Sequence, residues 1–540
     1  MTLLRIGLRQ QLVGLTAVTA IGVLGGILNA LAFIQIAGPS PADRLAFAQQ
    51  MELLGAQLSY MLPRPTRLDT LGGFLEWRHF GSMQLVYGVW AVLASAGIGR
   101  GAEERGFVEQ WLAAGVRRTR YLLSRAVVFT AAAAVAIAAM LLAIWLVPAG
   151  REPLSGSGLA ATGLGLVMAT LCCFGIGLAI AQVVTTRRAA AGTSAGLLVA
   201  LFLINGAGRS ADVGPVRWLS PFYLLERSKP LTVDAGLDAL GSTLLSGGAL
   251  LLITVAAVAF ARRDLGGSAL PLRPAGGATT RSPSPDPLLR APILAPLRQQ
   301  RVWVASWVAD LGALAALLMS ITRSIVDSLA ASPIPLLRAY FERAGLGAYD
   351  SFVGVVWLST ALLLLSIFAI TQVAGWSSDD AEGRLATILA TPVSRGRVVV
   401  ERLATMLVGA ALIAAASSIA VYAGAAGQSI RLDGGRLAVA TTLLLTVPFA
   451  FGGVGQLVAV WRPRLAVVAL SAVAVLSYYV QSLAPLFDLP DWVKNLSLYS
   501  LYGTPLSGDV GWGGILALVA IGAGANGAAL LAVRRRDVGA

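Results

Sequence analysis

Apolar residues in this chain fall in long blocks, and polar residues collect in the intervals between them. Ala126 to Val147 and Leu437 to Val460 are two such blocks. A helix of roughly 20 residues crosses a hydrocarbon layer of about 30 Å. Twelve blocks have the required character, starting near Leu12, Ser82, Ala126, Gly158, Ala189 and Gly241, then near Val304, Ser351, Leu403, Ala438, Leu465 and Gly511. The pattern predicts an all-α polytopic membrane protein with twelve transmembrane helices, six in each half.

The polar intervals repeat as well. GFVEQWLAAGVRRTRYLLSR, from Gly106 to Arg125, aligns without gaps on GRLATILATPVSRGRVVVER, from Gly383 to Arg402. LRQQ stands at Leu8 to Gln11 and again at Leu297 to Gln300, and RRDLG at Arg262 to Gly266 returns as RRDVG at Arg535 to Gly539. Start, middle and end signals recur in order, so the chain reads as two tandem six-helix repeats, the arrangement of transporters built from parallel membrane repeats. The predicted organisation is a first half over 1–265, a cytoplasmic Pro/Gly/Ser-rich linker over 266–296 and a second half over 297–540, related by a pseudo-two-fold axis along the membrane normal. The linker composition is too poor in apolar residues to bury a core.

Composition sharpens this picture. Of 540 residues, 56% are hydrophobic and only 13% charged, about half the charged fraction of a soluble domain. With both termini placed inside, the inside segments hold 26 of the 41 basic residues and 10 of the 27 acidic ones. Lys and Arg resist translocation, so the net charge of +14 reads as a topology signal and not as a nucleic-acid footprint. The expected location is a bacterial plasma membrane, multi-pass, with both termini cytoplasmic; Arg outnumbering Lys 39 to 2 fits a GC-rich genome. The run from Leu12 to Ile36 exceeds a typical signal-peptide core and reads as a span. Residues flanking each LRQQ fit either a short surface helix or a plain anchor.

Among the outside segments, Gly38 to Gly81 is the longest. Leu45, Phe47, Met51, Leu54, Leu58 and Met61 recur there at helical spacing before Pro63. Ser328 to Gly345 is its shorter counterpart. The Trp- and Tyr-bearing stretches from Trp218 and Leu496 suit a membrane interface.

Several chemistries are excluded. A phosphate-binding Walker loop needs Lys before Ser or Thr, and the only lysines are Lys229, before Pro, and Lys494, before Asn. His79 is the sole histidine and reads as a surface residue of an outside loop, so multi-His metal sites drop out and no metal is expected. Cys172 and Cys173, adjacent within a span, offer neither a disulfide framework nor a zinc site. The chain is expected to be a transport subunit without enzyme activity of its own, with energy supplied from elsewhere.

The repeated loop is the strongest positive signal, because about 25 residues join spans that fewer than about eight could connect. In the second copy, Ser378, Asp379 and Asp380 are placed to cap a helix from Glu382. Leu385, Ile388 and Leu389 form an apolar stripe, and Thr391–Pro392 reads as the cap and first residue of a new helix. Gly115 makes the corresponding break in the first copy. Each half thus offers a short amphipathic helix, whose apolar stripe fits docking on a cytoplasmic partner or, as the alternative, packing against its own half.

EERGFVEQWLAAGVRRTR from Glu103 and EGRLATILATPVSR from Glu382 resemble the E-x-G-T-x-E-x-L-L-A-T-P-V-S-R signature of permease subunits of type-2 ATP-binding-cassette (ABC) exporters. The second copy matches through Leu389 to Arg395; the first departs at Ala114 and Gly115. Span order, the RRD ending and the fused length resemble exporters of polyketide antibiotics, including tetronasin-type permeases, across essentially the whole chain. The resemblance implies coupling helices that seat on a separate ABC ATPase carried in two copies, with ATP and Mg on that partner and no cofactor on this chain. It assigns coupling to Glu104, Gly106, Leu112, Arg118, Glu382, Gly383, Leu389 and Arg395. It also implies that the first, second and fifth spans line the pathway.

Polar and aromatic residues within spans are the candidates for that pathway. They are Asn29, Gln35, Gln84, Tyr87, Trp90, Phe202, Asp310, Trp357, Gln372, Tyr478 and Tyr479. Interhelical hydrogen bonding competes with pathway lining for the amides, and snorkelling with a cation-attracting gate for Asp310. Glu401 is expected to pair with neighbouring arginines. A lining of aromatics and neutral amides suits large amphipathic substrates such as hydrophobic drugs or polyketide-like antibiotics. The alternatives are a lipid as cargo of the same exporter, and a proton-driven secondary transporter, whose G-x-x-x-D-R-x-G-R-R loop is found in neither copy. Membrane lipid and a hydrophobic small molecule complete the expected partners.

Overall fold

A computed structural model describes residues 2–38, 40–57, 62–147, 152–210, 214–232, 236–270, 295–330, 348–381, 383–487, 490–508 and 510–535. The chain forms two compact units, Met1–Thr279 and Thr280–Ala540. The described residues of both are helical, and the protein is an all-α polytopic membrane protein. Among those residues eleven helices are long and apolar enough to cross a membrane; the block at Leu465 gives a shorter apolar stretch, Leu465–Gln481.

In the first unit the order is α1 (Thr2–Ile36), α2 (Pro41–Gln57), α3 (Leu71–Glu104), α4 (Phe107–Ala113), α5 (Arg118–Leu146), α6 (Gly156–Val183), α7 (Arg187–Ser210), α8 (Pro221–Glu226) and α9 (Ala239–Arg262). Short polar residues start the long apolar helices. Thr70 caps α3 through Gly73 N, Ser155 caps α6 through Gly158 N and Asp238 caps α9 through Gly241 N, each satisfying an amide that the first turn leaves open. Small residues let α1 lie close to its neighbours. A Cβ on Gly14 would sit 2.5 Å from Trp90 Nε1, and one on Gly26 would sit 2.5 Å from Ile144. Behind this contact Trp90, Phe129 and Phe174 stack through the unit at centroid spacings of 4.7 and 4.1 Å.

The second unit contains α10 (Ala295–Ala330), α11 (Tyr349–Asp380), α12 (Arg384–Leu389), α13 (Arg395–Gly427), α14 (Gly434–Trp461), α15 (Pro463–Phe487), α16 (Leu498–Tyr502) and α17 (Trp512–Arg535). Its helices α10 and α13 pack together, as do α14 and α17. Both LRQQ motifs lie inside continuous long helices, α1 and α10, so neither forms a separate surface helix.

Two local features occur in both units. A π-helical turn interrupts α3 at Leu75–Phe80 and α11 at Val353–Leu358, the kind of irregularity that collects at functional positions. Ser220 before α8 donates its hydroxyl to Leu201 O, and Ser497 before α16 donates to Ser477 O, both at 2.9 Å.

Three expectations are corrected. The second long helix starts at Leu71, not near Ser82, because Glu76, Arg78 and His79 lie within it. His79 is buried and not a surface residue: it is 1% exposed, with Nε2 3.4 Å from Met140 Sδ. In Gly38 to Gly81, α2 forms and buries Phe47 and Met51, with Phe47 against Phe33 and Phe74, but Leu45 is exposed. Leu58 and Met61 lie outside the described residues, as do 271–294 of the linker and most of the counterpart segment 328–345.

Candidate functional site

Each unit has a foot, the end of its second long helix from which the short helix departs. Gly106 and Gly383, at the N-caps of α4 and α12, have φ of 69° and 74°. Glycine enters this left-handed region without the Cβ clash other residues suffer. The chain therefore reverses sharply off α3 and α11 and lays a short helix across each foot. Arg118 and Arg395, at the starts of α5 and α13, then tie this turn to the last long helix of their own unit. Arg118 Nη1 donates to Arg263 O, and Arg395 Nη1 donates to Val533 O at 3.3 Å. A cation at a helix C-terminus satisfies open carbonyls and opposes the dipole.

The first foot is closed by a buried ion cluster. Glu103 accepts from Arg100 Nη1 at 3.0 Å and from Arg263 through both carboxylate oxygens. Arg100 spends its other donors on Ala181 O, Gln182 O and Gly267 O, and Arg263 Nε donates to Gln182 Oε1 at 2.9 Å. The residues following α9 are drawn in: Ala269 N donates to Gln182 O at 2.8 Å and Ser268 Oγ to Val183 O. The packed first unit thus continues to Leu270, beyond the predicted boundary at 265. Glu104 accepts from Arg187 N at 2.7 Å and so anchors the start of α7.

The second foot is built differently. Asp380 pairs with Arg402 at 2.9 Å, and Arg397 with Glu401 at 2.7 Å, the latter as expected. Behind α12 lies a cavity of about 110 Å³ lined by Leu385, Leu389, Val398 and Val399 and, on its charged side, by Arg395 and Arg402. In the loop alignment Val398 and Ser377 stand where the first unit has Tyr121 and Arg100. Those larger side chains are fully buried there, Tyr121 against Phe260 at 6.2 Å. Of Val398 and Ser377, Val398 lines the hollow of the second foot.

Helix starts in this loop also differ from expectation. Ser378, Asp379 and Asp380 end α11 and do not cap α12, because the reversal at Gly383 supplies that start. Ser394, not Thr391, caps α13 through Arg397 N, while Thr391 Oγ1 donates back to Ile388 O. Of the coupling candidates, Leu112, Arg118 and Arg395 are half-buried, Glu104 and Gly383 are exposed, and Leu389 faces the recess. Ile388 and, on α4, Phe107 are exposed. Glu382 lies outside the described residues.

Pathway candidates scatter within their units. Tyr87, Trp90 and Trp357 are buried. Asn29 donates to Gly25 O at 2.7 Å in its own helix, and Gln372 donates to Gln300 Oε1 at 2.8 Å, using the second LRQQ motif. Phe202 packs edge-on to Phe222, and Tyr478 to Tyr479. Gln35, Asp310 and Tyr478 are exposed within their units. Gln84 joins a network at the end of the first unit opposite its foot. There Glu226 Oε1 accepts from Gln84 Nε2 at 3.0 Å, Asn205 Nδ2 at 2.9 Å and Arg209 Nη2 at 2.6 Å. Nearby, Asp238 accepts two bonds from Arg227, which hold its carboxyl below the usual range and push the guanidinium up. Burial lowers Lys229.

Arg100, Glu103 and Arg263 as a cluster escape sequence reasoning, although Arg263 belongs to the repeated RRD ending. Among the described residues no three His, Cys, Asp or Glu side chains converge as metal ligands.

Comparison with known families finds one match within each unit. Residues 19–226 match the family described as ABC-2 type transporter. Residues 289–534 match the family described as Multidrug efflux system permease Rv1217c, C-terminal domain. No curated protein matches the chain.

Proposed function

Because the chain is an ABC-2 type permease, we propose that it is the membrane subunit of an ATP-driven exporter for hydrophobic and amphipathic compounds such as drugs. The permease is a multi-pass transport subunit, and its family implies an ABC ATPase partner. On this reading both feet and both termini face the cytoplasm, and α4 and α12 each seat on one ATPase copy. ATP and Mg then reside on that partner. One chain supplies two coupling helices, so one permease joins two ATPase subunits.

The observation that carries the proposal is the duplicated foot. A left-handed glycine, a short crossing helix and an arginine tied to the last long helix occur in both units, at Gly106 and Arg118 and at Gly383 and Arg395. A short helix braced against two long ones can convert a push on its exposed face into movement of those helices, because packed elements shift as bodies. The multidrug function in the description of the second matching family and the aromatic, amide-bearing pathway candidates favour amphipathic cargo.

The test is transport of a hydrophobic dye in vesicles holding the chain with and without the ATPase encoded beside it. Uptake requiring both ATPase and ATP is the expected result. Uptake by the chain alone, driven by a proton gradient, would overturn the reading.

A further inference from the structure

A recess at the opposite end of the first unit takes no part in coupling. It holds a cavity of about 60 Å³ between the start of α3, the start of α6 and the segment that follows α8. Phe80, Leu166 and Leu225 give it apolar walls, Glu76 places a carboxyl on it, and Lys229 and Arg64 place cations on it, Arg64 donating to Arg209 O.

Among the described residues, several of its polar atoms are held in position yet left without a hydrogen-bond partner. Gln84 Nε2 donates to Gly81 O and to Glu226 Oε1, both at 3.0 Å, which fixes the amide and leaves Oε1 without a partner. Trp77 Nε1 has no partner either, although both side chains are only 3% exposed. Glu76 Oε1 accepts from Leu231 N at 3.2 Å, but its buried Oε2 accepts no hydrogen bond. The Thr232 hydroxyl nearby gives its proton to Lys229 O. Lys229 Nζ reaches only Thr66 Oγ1, at 3.4 Å, and forms no ion pair among the described residues. Glu226, by contrast, is already neutralised by Arg209 at 2.6 Å. Each buried polar atom left unmade costs about 1–3 kcal/mol, and folded proteins leave few of them. Three around one recess point to a ligand that completes them.

The charges restrict its chemistry. A simple cation meets repulsion from Lys229, and a simple anion leaves Glu76 Oε2 and Gln84 Oε1 unmet. We propose that the recess binds a zwitterionic headgroup in which an ammonium and an oxyanion stand a few atoms apart. The ammonium donates to Glu76 Oε2 and Gln84 Oε1, and the oxyanion accepts from Lys229 Nζ and Trp77 Nε1. Any apolar remainder lies along Phe80, Leu166 and Leu225. The same chemistry comes from a phosphoethanolamine lipid or from a free phosphoethanolamine ester, and the site does not depend on the direction of transport.

The test is native mass spectrometry of the delipidated full chain, titrated with phosphatidylethanolamine, phosphatidylcholine and phosphatidylglycerol. Phosphatidylethanolamine is expected to bind about tenfold more tightly than the other two, one decade in Kd, because a quaternary ammonium has no proton to donate and glycerol has no cation. Trp77→Phe, which keeps the ring but removes Nε1, and Lys229→Met should each weaken it about fivefold. Displacement by soluble glycerophosphoethanolamine identifies the headgroup alone as the ligand, and retention of the lipid against it identifies the lipid. Equal binding of the three lipids, or no loss in either variant, would overturn the proposal.

Discussion

Glu103 at the foot of α3 holds Arg263 at the end of α9, 160 residues later in the chain, through both carboxylate oxygens. It also holds Arg100, so one carboxylate serves two guanidinium groups whose side chains are each 1% exposed. Carbonyls of Ala181, Gln182 and Gly267 take part of the remaining positive charge. The second long helix, the end of the fourth and the start of the linker are thereby fixed to one another at the first foot.

Removing that carboxylate should strand two buried cations. Breaking a buried pair from one side costs on the order of 3–5 kcal/mol, so Glu103→Gln should lower the unfolding free energy of the purified chain by an amount in that range. Asp380→Asn should cost less, because Asp380 serves Arg402 and both side chains are more exposed, at 9% and 17%. Denaturant titration in detergent micelles compares the two; equal losses would show that burial of the first cluster is not what sets its value.

The two left-handed glycines predict a conformational effect free of steric crowding. No atom lies within 4 Å of a Cβ built on Gly383, and only Glu109 Oε2, at 3.9 Å, approaches one on Gly106. Gly106→Ala and Gly383→Ala should therefore each cost about 1–2 kcal/mol through φ alone and reduce ATP-driven transport. Asn, which tolerates this region, should retain more activity than Ala at both positions. Transport equal in the Ala and Asn variants would remove the requirement for this turn.

The long helices were legible because hydrophobic run length is a local property. The start of α3 was not. Glu76, Arg78 and His79 look like loop residues in sequence, and only partners such as Leu231 N for Glu76 make room for them in a helix. The Glu103 cluster was hidden for the same reason, since its charges were counted as a topology signal while their contacts lie 160 residues apart. The hollow behind α12 was half legible: the alignment puts Val398 opposite Tyr121, but sequence does not show that nothing else fills the space.

That hollow makes a prediction of its own. Val398 is 7% exposed and lines the cavity of about 110 Å³, so Val398→Tyr restores the side chain present at the equivalent position of the first unit. Filling a cavity recovers lost contacts, on the order of 24 cal/mol per Å³ filled. The variant should unfold at a higher temperature than the parent, and Tyr121→Val should unfold at a lower one. A lower melting temperature for Val398→Tyr would mean that the recess closes in the working protein.

The exposed faces of α4 and α12 separate coupling from folding. Phe107 is 36% exposed and Ile388 42%, whereas Leu389 turns into the recess of its own unit. If these helices dock on an ATPase, the exposed apolar residues form the contact, since truncating buried interface anchors commonly costs 2 kcal/mol or more. Phe107→Asp with Ile388→Asp should then abolish ATP-driven dye transport and ATPase retention on the permease while leaving the unfolding temperature within about 2–4 °C of the parent. Leu389→Asp should instead lower the unfolding temperature, because it removes apolar packing from the recess wall. Comparing ATPase pull-down with thermal unfolding for the two sets distinguishes the roles. A double variant that still holds the ATPase and transports normally would mean that the duplicated foot braces the membrane helices without transmitting force.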